Sequence, residues 1–328
     1  MQHRWLLLDH ASDQMGCVLL MKVYILRRFL LALLTTLGIS IVVFSLMHLA
    51  PGDPVKSVAG RETDPVVIAA LRAEWGFDKP IYLQYFTWLS KAIRGDFGVS
   101  MANRMPVVDL IKSRLDYTIS LNLVATVIGL AIAFPVGIIS AVKKYSLFDY
   151  IGTFLALLSQ SMPSFWLSLM LIFFFSYKLE WRWIPTNGSG TWQHYILPSI
   201  VLGTGWASGL TRMIRGSMLE VLSEDYIRTA RAKGLGLPAV TYRHALRNAM
   251  IPIATSLTYW FAFLVMGSVI VEQIFAWPGI GRLMVTSLSN HDYFVVQAII
   301  LLFALAITFA NLIVDILYCI IDPRIRYD

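Results

Sequence analysis

Charge is absent from six long stretches of this chain: 29–52, 117–142, 150–177, 183–211, 248–271 and 293–314. Segments this apolar fold on their own terms only where water is excluded. A helix needs about 20 apolar residues to cross the hydrocarbon core of a bilayer. Within that core the backbone must satisfy its own hydrogen bonds, so helices are expected rather than open strands. Five of the runs read as spans throughout. The run 183–211 is mixed: Pro185, Asn187, Gly188 and Gly190 give its first part loop chemistry, and its span begins near Tyr195. The expectation is an all-α polytopic membrane protein with six transmembrane helices. Overall, 14% of residues are charged, against about 25% in soluble domains.

Lys and Arg set the orientation. Lys22, Arg27 and Arg28 precede span 1, Lys143 and Lys144 separate spans 2 and 3, and Arg324 and Arg326 follow span 6. Seven basic residues lie between Arg212 and Arg247, whereas the opposite side has only Lys178, Arg182 and Arg282 in its short loops. The long loop 50–116 holds nine more, but long loops cross regardless of charge. Both termini are therefore expected in the cytoplasm, and the net charge of +7 is a topology signal rather than a nucleic-acid footprint. Cys17 and Cys319 make neither a disulfide framework nor a metal cluster. Residues 1–21 read as an N-terminal extension, with Met21-Lys-Val-Tyr as the functional start.

Span 1 occupies 22–49 and stops at Pro51-Gly-Asp-Pro54. The external loop 50–116 comes next. In it, Pro65–Glu74 reads as a helix capped by Asp64, and Tyr82, Tyr85, Phe86 and Trp88 form an aromatic stretch. Pro106–Leu115 reads as an amphipathic helix at the outer interface, with Val107, Leu110, Ile111 and Leu115 on one face. The core, 117–322, carries spans 2–6, and 323–328 is a cytoplasmic tail. Span 3 is interrupted by Ser159, Gln160, Ser161, Met162, Pro163 and Ser164, polar groups and a proline that need a cavity or a neighbouring helix. Ser159, Gln160, Ser161, Pro163 and Ser164 are the candidate substrate path. In span 4, Gly205 and Gly209 have a spacing that lets helices approach closely. His48 reads as interfacial packing, and Asp315 as a structural hydrogen-bonding group near the end of span 6.

Several chemistries are missing. The chain has no Gly-x-x-x-x-Gly-Lys-Ser/Thr, so it cannot cradle a nucleotide phosphate in that way. The six histidines show no metal-ligand spacing. Gly205-Trp-Ala-Ser-Gly209 is not a nucleophile elbow. A proton-coupled secondary transporter should show paired intramembrane carboxylates, and only Asp315 is available.

The polar interruption 216–248 between spans 4 and 5 reads as a helix–turn–helix. Ser223 is the N-cap candidate, Glu224 and Asp225 suit the positive helix end, and Gly234 falls where a left-handed C-cap belongs. Pro238 then opens a second helix that ends near Asn248. Ala230 and Ala232 are small enough for a partner surface to approach. Arg228, Arg231 and Lys233 surround them with charge.

This loop resembles the ATPase-coupling loop of ABC importer permeases of the dipeptide/oligopeptide/nickel branch. Asp225, Tyr226, Arg228, Thr229, Ala230, Arg231, Ala232, Lys233, Gly234, His244, Leu246 and Arg247 carry the likeness. The general motif of such permeases is kept at Ala230, Gly234 and Leu246. It departs at Arg228, Thr229, His244 and Arg247, in the manner of the branch's first permease subunit. Leu49-Ala-Pro-Gly-Asp-Pro-Val55, Gly95-Asp-Phe-Gly-Val-Ser100 and Glu272-Gln-Ile-Phe-Ala-Trp-Pro-Gly-Ile-Gly-Arg282 are similar to other parts of that subunit.

The resemblance implies a type I ABC importer permease fold. It also implies a second, homologous permease subunit, two cytoplasmic ABC ATPases and an extracytoplasmic substrate-binding protein. No cofactor would be bound by this chain, with ATP and Mg on the partner ATPases. The implied cargo is a di- or oligopeptide, with nickel or a metal chelate as the alternative within the family.

Overall fold

The computed structural model describes residues 25–45, 48–49, 55, 64–179 and 183–321. Helix dominates these residues, and the only sheet-like pairing among them is an isolated bridge between Val99 and Pro106. The predicted stop at Pro51–Pro54 and the extension 1–21 lie outside the described residues.

Helix α1 is Ile25–Ser45. The external segment forms α2 (Pro65–Trp75) and α3 (Ile81–Ile93). Asp64 caps α2 as expected, its Oδ1 accepting the Val66 N–H at 2.9 Å. The aromatic stretch, read only as composition, is α3: Trp88 turns inward against Phe44 and Leu301, while Tyr82 and Phe86 are exposed.

Helix α4 runs unbroken from Val107 to Val142. The expected separate interfacial helix before span 2 is therefore its first turns. Val107 and Leu110 do share a face, but that face packs into a core with Ile280, Val295, Ala298 and Ile299, which removes the reason for a break.

Span 3 is α5 (Leu147–Ser161) and α6 (Ser164–Ile172), the latter extended by a π-helical turn Phe173–Lys178. The two parts meet at 98°. After a short 3₁₀ turn at Trp192–Tyr195 comes α7, Ile196–Leu222, which continues well past the span end expected at Arg212. Helix α8 is Asp225–Ala232. A π-helical segment, Ala239–Leu246, flows directly into α9, Arg247–Met266. The short α10 (Val269–Ile274) and α11 (Ile280–Ser289) lead to α12, Tyr293–Ile321.

Among the described residues, three helices, α1, α4 and α12, are long and apolar enough to cross a membrane, and the bent pair α5–α6 makes a fourth candidate. Arg28, near the start of α1, pairs with Asp315, near the end of α12, at 3.1 Å. The first and last helices therefore meet at the same end of the molecule, and Asp315 has the structural partner expected of it. His48 is likewise structural, hydrogen-bonded to the Gln84 side chain at 3.0 Å and resting on Phe44.

The centre of the fold is α4 against α7. Apolar lipid gives little drive for helices to associate, so close backbone approach through small residues must supply it. A methyl group on Gly203 would stand 2.9 Å from the Ala125 carbonyl oxygen, and one on Gly137 2.9 Å from that of Thr211. Gly205 and Gly209, singled out by spacing, are not the contact: nothing lies within 4 Å of the position of an added methyl at either. The helix turns its other face, with Gly203, Ala207 and Leu210, to α4.

Gly137→Ala and Gly203→Ala should each lower the stability of the detergent-solubilised chain by about 1–3 kcal/mol, the usual cost of overpacking. Gly209→Ala should be neutral, or stabilising by up to about 1 kcal/mol through helix propensity. Thermal unfolding of the three variants checks the ranking.

Candidate functional site

The polar loop between α7 and α9 is ordered by an apolar seam beneath it. On α8, Ile227 and Ala230 are three residues apart and so share a face. Both are buried in a cluster with Ile214 and Met218 of α7, Val240 and Ala245 of the π-helical segment, and Ala249 and Ile253 of α9. Leu246 packs against the same cluster. The remaining positions of α8, Asp225, Tyr226, Arg228, Thr229, Arg231 and Ala232, face outward with Lys233 and Gly234. Leu235, Leu237 and Tyr242 add exposed apolar surface beside them, and Arg247 is exposed while His244 is half-buried.

The caps differ partly from expectation. Ser223 is not the N-cap of α8: it ends α7 with its hydroxyl donating to the Glu220 carbonyl, because α7 runs on to Leu222. Glu224 takes the N-cap position without a side-chain cap. Gly234 behaves as predicted, at φ +81°. The Leu235 N–H reaches back to the Ala230 carbonyl at 3.3 Å, and the Gly234 N–H reaches the Arg231 carbonyl at 2.9 Å. The second helix does not stop near Asn248. Instead the Asn248 amide donates to the Tyr226 hydroxyl at 2.6 Å and ties the base of α9 to α8. Ala230 faces the core, so of the two alanines only Ala232 is open to a partner. The Asp225–Arg228 pair, 3.3 Å apart, is exposed and contributes little to stability.

The structure brings the five candidate path residues together at the elbow between α5 and α6. Ser159 donates to the Thr204 carbonyl of α7 at 3.0 Å, Ser161 to its own helix at Leu157, and Pro163 is extended, at φ −60° and ψ 137°. Gln160, Ser161 and Pro163 are exposed, whereas Ser159 and Ser164 are half-buried. The elbow thus presents polar groups outward from this chain. Ser159 also borders an apolar cavity of about 580 Å³ between α4, α5 and α7.

Two buried polar constellations have little sequence signature. At the base of α5, Asp149 is clamped by Arg215 of α7, whose Nε and Nη2 donate to its two carboxylate oxygens at 2.6 and 2.9 Å. Sixty-six residues separate the pair, and Arg215 looked like one more topology charge. At the opposite end, Glu272 is fully buried in the turn structure after α9, outside the spans as read. It accepts from the Thr118 hydroxyl at 2.9 Å and from the Arg282 N–H at 3.1 Å. Burial pushes its carboxyl above the ordinary range, opposed by those donors. Gly267, Gly279 and Gly281 leave the space it occupies: an added methyl on any of them would come within 3.0 Å of a Glu272 carboxylate oxygen. Trp277 closes the knot, its indole N–H donating to the Tyr117 carbonyl at 2.9 Å. The repeated glycines of the segment were the available signal, since each marks a close approach.

Comparison with known proteins matches two family models. One, described as a binding-protein-dependent transport system inner membrane component, covers residues 133–327. The other, described as the N-terminal part of such a membrane component, covers residues 21–122. The chain is 45% identical over 304 residues to the glutathione transport system permease protein GsiC of Escherichia coli (strain K12), covering 93% of this chain and 99% of the relative. It is equally similar, over the same shares, to GsiC of Shigella flexneri serotype 5b (strain 8401). To GsiC of Salmonella choleraesuis (strain SC-B67) it is 44% identical over the same shares.

Truncating Glu272 to alanine leaves the Thr118 hydroxyl and the Arg282 amide without their acceptor and opens a cavity among three glycines. Glu272→Ala should destabilise the chain by about 1–3 kcal/mol, and Thr118→Val by a similar amount. The double variant should cost clearly less than the sum, because the two residues share one network. Additive losses in thermal unfolding would contradict the coupling.

Proposed function

The chain belongs to the inner-membrane permease components of binding-protein-dependent ABC importers, and from that premise we propose its specific role. It is one of two related permease subunits forming the translocation path, each engaged by a cytoplasmic ATPase and served by an extracytoplasmic binding protein. ATP and Mg would be held on the ATPases. All six spans read from the sequence would be present, including α9 and also α7, whose polar and small residues dilute its apolar run. Both termini would be cytoplasmic, in keeping with the Arg28–Asp315 contact.

The single observation that carries the coupling assignment is the construction of α8. A helix of eight residues is too short to hold itself together in water. Here it is seated on an apolar seam, closed by a left-handed glycine and hydrogen-bonded to α9, yet every outward position is exposed. That is a rigid, presented surface rather than a solvated linker. Its mixture of Arg228, Arg231 and Lys233 with Tyr226, Leu235 and Leu237 suits docking into a groove on a soluble subunit. Shifting a two-state transporter from 1:99 to 99:1 takes about 5.5 kcal/mol of bias, and a rigid helix can deliver it.

The substrate proposed is a small peptide of the glutathione, dipeptide or oligopeptide class, supported by the likeness to glutathione permeases. The elbow at Ser159–Ser164, with its outward polar groups, would line the path against the second permease.

Mass spectrometry of the ligand carried by the cognate binding protein tests the cargo: a peptide supports this reading, and a nickel or metal chelate replaces it with the family's alternative. Gly234→Pro removes both the left-handed conformation and the N–H that closes α8. It should abolish ATP-driven uptake in vesicles while membrane insertion persists. Normal uptake would sink the coupling assignment. Ser161→Trp or Ser164→Trp should block uptake with ATPase assembly intact. Retained uptake would move the path elsewhere.

A further inference from the structure

Helix α5 touches α7 through two polar contacts, one near each of its ends. At the base, the Arg215 fork grips Asp149, whose side chain is 3% exposed. The same carboxylate also accepts the Tyr145 N–H at 2.9 Å and the Thr153 hydroxyl at 3.3 Å. Near the elbow, Ser159 donates to the Thr204 carbonyl. Ten residues of α5 and eleven of the antiparallel α7 separate the two contacts. At about 1.5 Å per residue these are nearly equal lengths, so the helices run as matched rails. Between the rails the packing is loose, with the cavity lined by Leu155, Ala156, Ser208 and Thr211.

Apolar contact is non-directional and lets helices slide. A bidentate guanidinium–carboxylate pair fixes both distance and angle. Arg215 lies just above the seam that seats α8, with Ile214 and Met218 of the same helix in that seam. Asp149 opens a helix whose far end is the 98° elbow.

We propose that Asp149 and Arg215 are a positioning pair that carries displacement of α8, through α7, into α5, so that α5 moves as one body about Met162–Pro163. This rests on the assignment of α8 as the ATPase-docking helix. Neither residue touches the cargo. Their role is to make the broken span follow the ATPases.

The test uses the complete transporter, with its ATPases and binding protein, reconstituted in vesicles. A single substitution strands a buried charge and endangers the fold, so the decisive variant is Asp149→Leu with Arg215→Met, which removes both charges and keeps volume. Expected are normal copurification of the ATPases, retained basal ATP hydrolysis and at least a tenfold fall in uptake per ATP hydrolysed. Arg215→Lys, a charge without the fork, should fall between this variant and the unaltered transporter. Unaltered uptake per ATP in the double variant overturns the proposal. So does loss of ATPase copurification, which would make the pair a fold-holding contact only. Ala232→Cys, in the otherwise unaltered transporter, separates the two layers by cross-linking. No cross-link to an ATPase removes the docking assignment itself. A cross-link combined with unaltered uptake in the double variant removes the positioning pair alone.

Discussion

The close approach of α4 and α7 is the constraint on which the rest of the molecule depends. In a bilayer, apolar side chains gain nothing by leaving lipid for each other, so the bundle needs a contact that lipid cannot replace. Gly129, Gly137 and Gly203 supply it by letting backbone meet backbone. Once these helices are locked, both ends of the molecule are set as well. The first turns of α4 carry the core against α11 and α12 and bring Thr118 to Glu272. The last turns of α7 reach past the apolar zone and form the seat of α8. A shift at either helix would be felt at both ends, because the contact between them has no slack.

The two ends differ in where their polar groups face. The Glu272 knot turns its polar atoms inward, fills the space left by three glycines with a carboxylate, and shuts the bundle with Trp277. The α8 end turns only Ile227 and Ala230 inward and leaves every other position of that helix on the surface. A closed knot resists rearrangement. A presented helix invites a partner. On the proposed docking of α8, one end of the bundle would be fixed and the other moved.

The broad architecture was legible because it rests on local chemistry. Charge-free runs mark helices, Asp64 caps the helix beginning at Pro65, Gly234 sits where only a left-handed residue closes the turn, and Pro163 lies at the bend between α5 and α6. Spacing failed where the deciding contact was distant. Gly205 and Gly209 have the better motif, yet Gly203 and Gly137 face the neighbour, since helix rotation is set by partners and not by spacing. Ser223 looked like a cap because nothing local says that α7 continues to Leu222. Ala230 looked available for the same reason: only the fold shows which side of α8 is seated. The Asp149–Arg215 and Thr118–Glu272 pairs span 66 and 154 residues, and no periodicity joins residues so far apart.

These long-range pairs also decide how motion could pass through the bundle. Alternating access needs an element that is stiff along its length and weak at one point. Helix α5 has both properties: fifteen residues of regular helix, whose last ladder bond is the Met162 N–H to the Leu158 carbonyl at 3.1 Å, then extended backbone at Met162 and Pro163 before α6 begins. Proline supplies no N–H there, so Pro163 itself adds no donor to satisfy. Stiffness alone does not couple α5 to anything, because its contact with α7 is loosened by the cavity beside it. The fork at Asp149 removes that freedom at the base, and the Ser159 hydroxyl, a single and weaker bond, holds the other end only lightly. A rail pinned firmly at its driven end and lightly at its working end turns a small displacement below into a change of elbow angle above.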